Sequence, residues 1–229
     1  MKKIFFIALV LSGLLAGVGL RFDLAHRVPQ FISLRLEANA AEHYRAATHI
    51  IHQESLNADK GCSATAIGPH ALLTASHCEA PTDAIDIDGV TGYTISKIYR
   101  DGNDHSIYLV PGVTFPQVAK VAPRALYPGE FIFVWGNPVN TSDAQFVAVL
   151  RTGKYTASYL FKGRIVDVFD FRAIAGDSGS AVFTQNGDVV GVLSFSGDIA
   201  LPITDRTFAG AGAIKLNFSK EVLQRAAQF

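Results

Sequence analysis

From residue 64 onward, short apolar runs alternate with clusters of turn residues. Ala64–Ile67, Ala71–Thr74, Ile85–Ile87, Tyr93–Tyr99 and Ile107–Val110 are separated by Gly68-Pro69, Asp88-Gly89, Asp101-Gly102 and Pro111-Gly112. Several runs alternate with period two, the signature of strands with one face buried. Beyond Pro123 and Pro128-Gly129 a second set begins: Phe131–Trp135, Phe146–Leu150, Arg164–Phe169, Ala181–Phe183, Val189–Leu193 and Phe208–Ile214. Gln185-Asn186-Gly187-Asp188 is the strongest hairpin signal in the chain, because Asn-Gly accepts the positive φ angles of a tight turn. Short strands punctuated in this way predict an all-β protein of small antiparallel barrels. The break near 122–129 divides it into a first barrel over 46–125 and a second over 126–229. The tail, Ser219 to Phe229, has a capping serine, Glu221 in its first turn, and Val222, Ala226 and Phe229 on one face. It predicts a short helix packed on the second barrel.

The N-terminus has a different pattern. Met1-Lys2-Lys3 precedes an uncharged run from Ile4 to Leu20, the form of a secretory signal. The run is also at the short limit for spanning a bilayer. Residues 1–20 therefore have two open readings, a cleaved signal peptide or a retained membrane tether through 4–20. Gly17-Val18-Gly19 is a poor cleavage site, and Ala38-Asn39-Ala40 lies far beyond the apolar run. Both readings make the remainder extracytoplasmic, secreted or periplasmic. Residues 21–45 mix charge with scattered apolar positions and read as a lead-in or tether.

Composition narrows the function classes. The 229 residues are enough for one large domain or two small ones. Lys+Arg and Asp+Glu are 20 each, so no net charge argues for a nucleic-acid partner. Charged residues make up 17% against 49% hydrophobic, which argues against disorder. Cys62 and Cys78 are the only cysteines, and in an exported chain such a pair reads as a disulfide. The bridge closes a loop of about 16 residues, worth roughly 3 kcal/mol. His26, His43, His49 and His52 cluster early in the chain without any metal-ligand spacing, so they read as solvated or helix-surface residues.

Three stretches carry chemistry. Gly176-Asp177-Ser178-Gly179-Ser180 sets a hydroxyl between two glycines, which permits a sharp turn with amide N–H groups beside a nucleophile. Alone it reads equally well as a polar turn. Leu72-Leu73-Thr74-Ala75-Ser76-His77-Cys78 supplies an imidazole, the side chain suited to taking a hydroxyl proton near neutral pH. Asp101-Gly102-Asn103-Asp104 places acids just ahead of an apolar strand, with Asp101 and Asp104 as rivals for orienting that imidazole.

The order His77, Asp104, Ser178 resembles that of the chymotrypsin-like (trypsin-type) serine peptidases, whereas other serine hydrolases use other orders. Thr74-Ala75-Ser76-His77-Cys78 is similar to that family's histidine motif and Gly176-Asp177-Ser178-Gly179 to its serine motif. Phe133-Val134-Trp135-Gly136-Asn137-Pro138 and Gly187-Asp188-Val189-Val190-Gly191-Val192 are similar to strands of its bacterial members. The likeness covers roughly residues 60–215.

It implies two six-stranded antiparallel barrels with the site in the cleft between them, and a family bridge at Cys62 and Cys78. Asp104 is favoured over Asp101 because Asp104-His105-Ser106-Ile107-Tyr108-Leu109 resembles the family's acid followed by an apolar strand. The resemblance further implies an oxyanion hole from the N–H groups of Gly176 and Ser178. It puts Arg172 near the base of the primary specificity pocket, with Ser194 and Ser196 along the wall. The expected function is a serine endopeptidase acting on protein or peptide substrates through an acyl-enzyme, with no metal or organic cofactor. The alternatives are an inactive binding module on the same fold and an envelope-tethered structural protein.

Overall fold

The computed structural model describes Ala41 and residues 44–54, 60–136, 148–161, 163–200 and 207–229. The apolar N-terminal run and most of the lead-in, residues 1–40, lie outside the described residues, as do His26 and His43. Among the described residues no helix is long and apolar enough to cross a membrane.

Seven strands form the first sheet: β1 (Thr48–Gln53), β2 (Lys60–Gly68), β3 (Ala71–Ala75), β4 (Ala84–Ile87), β5 (Val90–Thr94), β6 (Lys97–Arg100) and β7 (His105–Leu109). Their spatial order is β5-β4-β1-β2-β3-β7-β6, every pairing antiparallel. The sheet curls into a half-barrel and leaves β5 and β6 unpaired with each other among the described residues. The reason lies in those edges. β5 is exposed at every position but Tyr93, and β6 at both ends, so closing the gap would bury little apolar surface.

The second sheet holds β8 (Lys120–Val121), β9 (Phe131–Gly136), β10 (Val149–Phe161), β11 (Arg164–Phe169), β12 (Ala181–Thr184), β13 (Asp188–Ala200) and β14 (Thr207–Lys215). Its order is β12-β9-β10-β11-β14-β13, and β12 also pairs with β13, closing a six-stranded antiparallel barrel. β8 adds a short parallel strand on β13. The predicted hairpin joins β12 to β13, with Gly187 at φ 78° and its N–H bonded to Thr184 O at 2.8 Å. This is the chymotrypsin-like architecture that the motifs implied.

A continuous core runs beneath both sheets. Leu72, Leu73 and Ile107 of the first share one buried cluster with Phe133, Trp135, Phe183 and Val192 of the second. Phe133 and Phe183 stack with ring centroids 5.0 Å apart, and Tyr44 stacks on Phe183 at 5.3 Å. A second cluster, including Ile132, Val134, Phe169, Val182 and Leu193, fills the closed barrel.

Three features depart from the sequence pattern. The terminal helix, α1 (Lys220–Gln228), is capped by Ser219 Oγ, which accepts from Val222 N at 3.3 Å. It packs on the first sheet, not the second barrel, because Gly68 has no side chain and lets the backbone of Ala226 come against β2. β1 went unpredicted because its two histidines read as solvent-facing. His49 is in fact buried, donating from Nδ1 to Asp88 Oδ2 at 2.7 Å. Tyr93–Tyr99 divides at Ile95-Ser96 into β5 and β6. The start of the predicted strand at Phe146 lies outside the described residues.

Candidate active site

His77 sits in a 3-10 turn, Ser76–Cys78, directly after β3. All five residues of β3 are buried, so the turn is carried on a rigid strand at the surface of the core. Asp104 lies in the turn that leads into β7, the neighbour of β3. The carboxylate grips the histidine twice: His77 Nδ1–H donates to Asp104 Oδ2 at 2.9 Å and the His77 backbone N–H to Oδ1 at 3.1 Å. Ser76 N–H adds a bond to the Asp104 carbonyl at 2.9 Å.

Burial pushes the Asp104 carboxyl upward. The hydrogen bond and charge of His77, its backbone N–H and the Ser194 hydroxyl outweigh that, holding the group below its ordinary value. The imidazole itself is 42% exposed, with Nδ1 committed to the carboxylate. A second network braces the turn from outside. Ser106 Oγ donates to Glu79, Ser76 and Ser106 hydroxyls pair at 2.7 Å, and Arg100 Nε donates to Glu79 Oε2 at 2.8 Å.

Asp101 has a different partner. His105 Nδ1–H donates to Asp101 Oδ2 at 2.6 Å, with both side chains fully buried. Asn103 N–H and Asn217 N–H donate to the same carboxylate at 2.8 and 2.9 Å. The acid that meets His77 is therefore Asp104.

Ser178 comes from the loop between β11 and β12. Its carbonyl accepts from Ser63 N–H of β2 at 2.8 Å and lies 4.0 Å from Cys78 Sγ. Cys62 and Cys78 are joined by a disulfide, and a ring nitrogen of His77 lies within 4.8 Å of both sulfurs. The serine loop and the histidine turn thus flank one covalent bridge. These three residues also form the only group of potential metal ligands among the described residues, and the disulfide ties up both sulfurs.

Around Ser178 the amide groups alternate in use. Asp177 N–H donates to Ile174 O at 3.1 Å, Gly179 N–H to Leu193 O at 2.9 Å and Ser180 N–H to Asp177 O at 3.0 Å. Among the described residues, the N–H groups of Gly176 and Ser178 donate to nothing. Two uncommitted donors two residues apart, beside a hydroxyl, are what a developing oxyanion requires. Gly176 has φ 92° at the third position of the Ile174–Asp177 turn, as a type II turn demands. Gly179 has φ 87°, and a side chain there would strike Ser63 O and Thr74 Oγ1.

Asp177 anchors the loop from beneath. It is 1% exposed, accepts from Arg151 Nε of β10 at 2.7 Å and from Ile174 N–H at 2.8 Å. Sequence reasoning missed both Arg151 and Ser63. An arginine in an otherwise pleated, partly apolar run is the only hint of the first, and adjacency to Cys62 the only hint of the second.

The residues expected to form the specificity pocket lie on two segments, Arg172 before the serine loop and Ser194 and Ser196 on β13. Arg172 is exposed, Ser194 lies at Asp104, and the backbone of Ser196 pairs with Ala211. A cavity of about 310 Å³ opens beside Asp104, lined by Phe161, Arg164, Val166, Ser194, Phe195 and Ile214.

A family model described as a trypsin-like peptidase domain matches residues 62–192. The chain is similar to the active form of the Rv3671c protease from M. tuberculosis, with a TM-score of 0.63 at 16% identity, covering 83% of this chain and 85% of that one. The inactive form of a serine-to-alanine mutant of Rv3671c from M. tuberculosis H37Rv gives a TM-score of 0.61 at 16% identity, with 82% and 90% covered. Another inactive form of the Rv3671c protease gives 0.56 at 18% identity, with 77% and 86% covered. At these identities the likeness concerns the fold. No curated protein matches the chain.

Proposed function

The chain belongs to the trypsin-like peptidase family, and from that premise we propose that it is a serine endopeptidase using His77, Asp104 and Ser178. The observation that carries this reading is the double grip of Asp104 on His77. A carboxylate on Nδ1 fixes the tautomer in which Nε2 is the basic atom.

In the proposed reaction, Ser178 Oγ attacks a substrate carbonyl while His77 Nε2 takes its proton. The carbonyl π electrons move onto oxygen, and the N–H groups of Gly176 and Ser178 receive that oxyanion. The imidazolium, stabilised by Asp104, then protonates the leaving amine as the C–N bond breaks. Water repeats the sequence on the acyl-enzyme, releasing the acid and restoring the serine.

The fixed Asp177, held by Arg151, supports a loop whose donors are oriented before substrate arrives. The Cys62–Cys78 disulfide supports an oxidising, extracytoplasmic working environment. A fluorescence-quenched peptide library tests the reading: wild-type protein cleaves it, and Ser178→Ala does not. Equal turnover by the two would refute it. The same library checks for a preference for acidic residues before the cut, the chemistry that Arg172 would favour.

A further inference from the structure

We infer that Ser63 is a positioning residue for the oxyanion loop, its side chain and backbone together fixing the spacing of the Gly176 and Ser178 N–H groups. The inference rests on the proposed role of those two amides. Ser63 is fully buried in β2 and belongs to the sheet opposite the serine loop. It reaches across with two donors: its hydroxyl to Gly176 O at 2.7 Å, and its N–H to Ser178 O at 2.8 Å. Its own carbonyl accepts from Thr74 Oγ1 at 2.8 Å, which ties the clamp to β3, the strand that carries His77.

The geometry explains why these two carbonyls matter. The Gly176 carbonyl belongs to the peptide plane lying between the two uncommitted amides, and the Ser178 carbonyl closes the segment on its far side. Holding both leaves the donors little freedom to spread or rotate. Arg151 and the Ile174 N–H fix Asp177, the residue between them, so the segment is pinned at three successive residues. An oxyanion donor acts only within about 2.7–3.1 Å of the oxygen, so small displacements are costly. Without the hydroxyl, a buried carbonyl loses its partner and the glycine-rich turn relaxes to find another. The transition state, rather than substrate binding, would suffer that relaxation.

Ser63→Ala removes the hydroxyl with little change of volume and keeps the N–H. Expected is a fall in kcat of about tenfold to a hundredfold with KM within about twofold. A peptide aldehyde, whose hemiacetal oxygen occupies the hole, loses affinity in parallel with kcat. The pH profile of kcat/KM keeps its shape, because His77 and Asp104 are untouched. Ser63→Thr, which restores a hydroxyl, recovers most of the loss. If Ser63→Ala fails to fold, Ser63→Gly removes the same hydroxyl, keeps the N–H and decides the matter by the same readouts. A folded variant lacking the hydroxyl with wild-type kcat and aldehyde affinity overturns the inference. A wild-type protein with no peptidase activity overturns instead the reading on which it rests.

Discussion

At the scale of residues, chemistry and stability make separable demands on the same side chains. His77 is 42% exposed and Ser178 is only half-buried, so neither carries much packing energy. Ser178→Ala and His77→Ala should each lower kcat by about 10⁶, roughly 8 kcal/mol of barrier. Ser178→Ala should leave the melting temperature near that of wild type, whereas His77→Ala also takes a partner from the Asp104 carboxylate and should lower it modestly. Asp104→Asn should cost about 10⁴ by permitting the wrong tautomer. Steady-state kinetics beside a thermal melt distinguishes these losses from unfolding. Asp101 and Asp104 have a further consequence for pH. Burial raises both carboxyls, but the histidine each one faces, with the surrounding N–H donors, lowers them further, to a net position below the ordinary value. A carboxyl lowered in the folded state stabilises fully above its unfolded value of roughly 3.9 and loses that contribution as pH falls through the folded value. Urea unfolding should therefore show stability dropping below about pH 4. Asp104→Asn should narrow the gap between pH 7 and pH 3, and an unchanged gap would remove Asp104 from the account.

At the scale of elements, the serine loop depends on partners from both sheets. Arg151→Met strands the Asp177 carboxylate, 1% exposed, and should destabilise the fold by about 3–5 kcal/mol. Gly179→Ala combines a positive φ with contact against Ser63 O, so it should cost more than about 1 kcal/mol and reduce activity per folded molecule. Chemical denaturation of each variant supplies the check. These dependences also mark where sequence reading stops. The hairpin at Gly187, the cap at Ser219 and the turns between strands were legible because each signal is local. β1 was not, since His49 becomes buried only by meeting Asp88, 39 residues away. The bond from Ser63 to Gly176 spans 113 residues, and no periodicity encodes a contact of that range. Helix α1 followed the same logic: its apolar stripe was readable, but its docking partner, the bare backbone at Gly68, was not. The histidine and serine motifs could be read because each is a contiguous run of residues.

At the scale of the whole molecule, the first sheet brings His77 and Asp104, the second brings Ser178, and the disulfide lies where they approach. Reducing Cys62–Cys78, which are 16 residues apart, should lower stability by roughly 3 kcal/mol. For a domain of this size that corresponds to a melting temperature lower by about 6–12 °C, measurable by calorimetry with and without reductant. Activity should fall further than stability alone predicts, because the bridge adjoins both the His77 turn and the Ser178 loop. The central claim is that this arrangement activates one hydroxyl, and labelling by a fluorophosphonate probe tests it most directly. Folded, oxidised protein should be labelled rapidly and only on Ser178, with labelling abolished in His77→Ala. Wild-type protein that remains unlabelled, or that is labelled equally well without His77, would contradict the account.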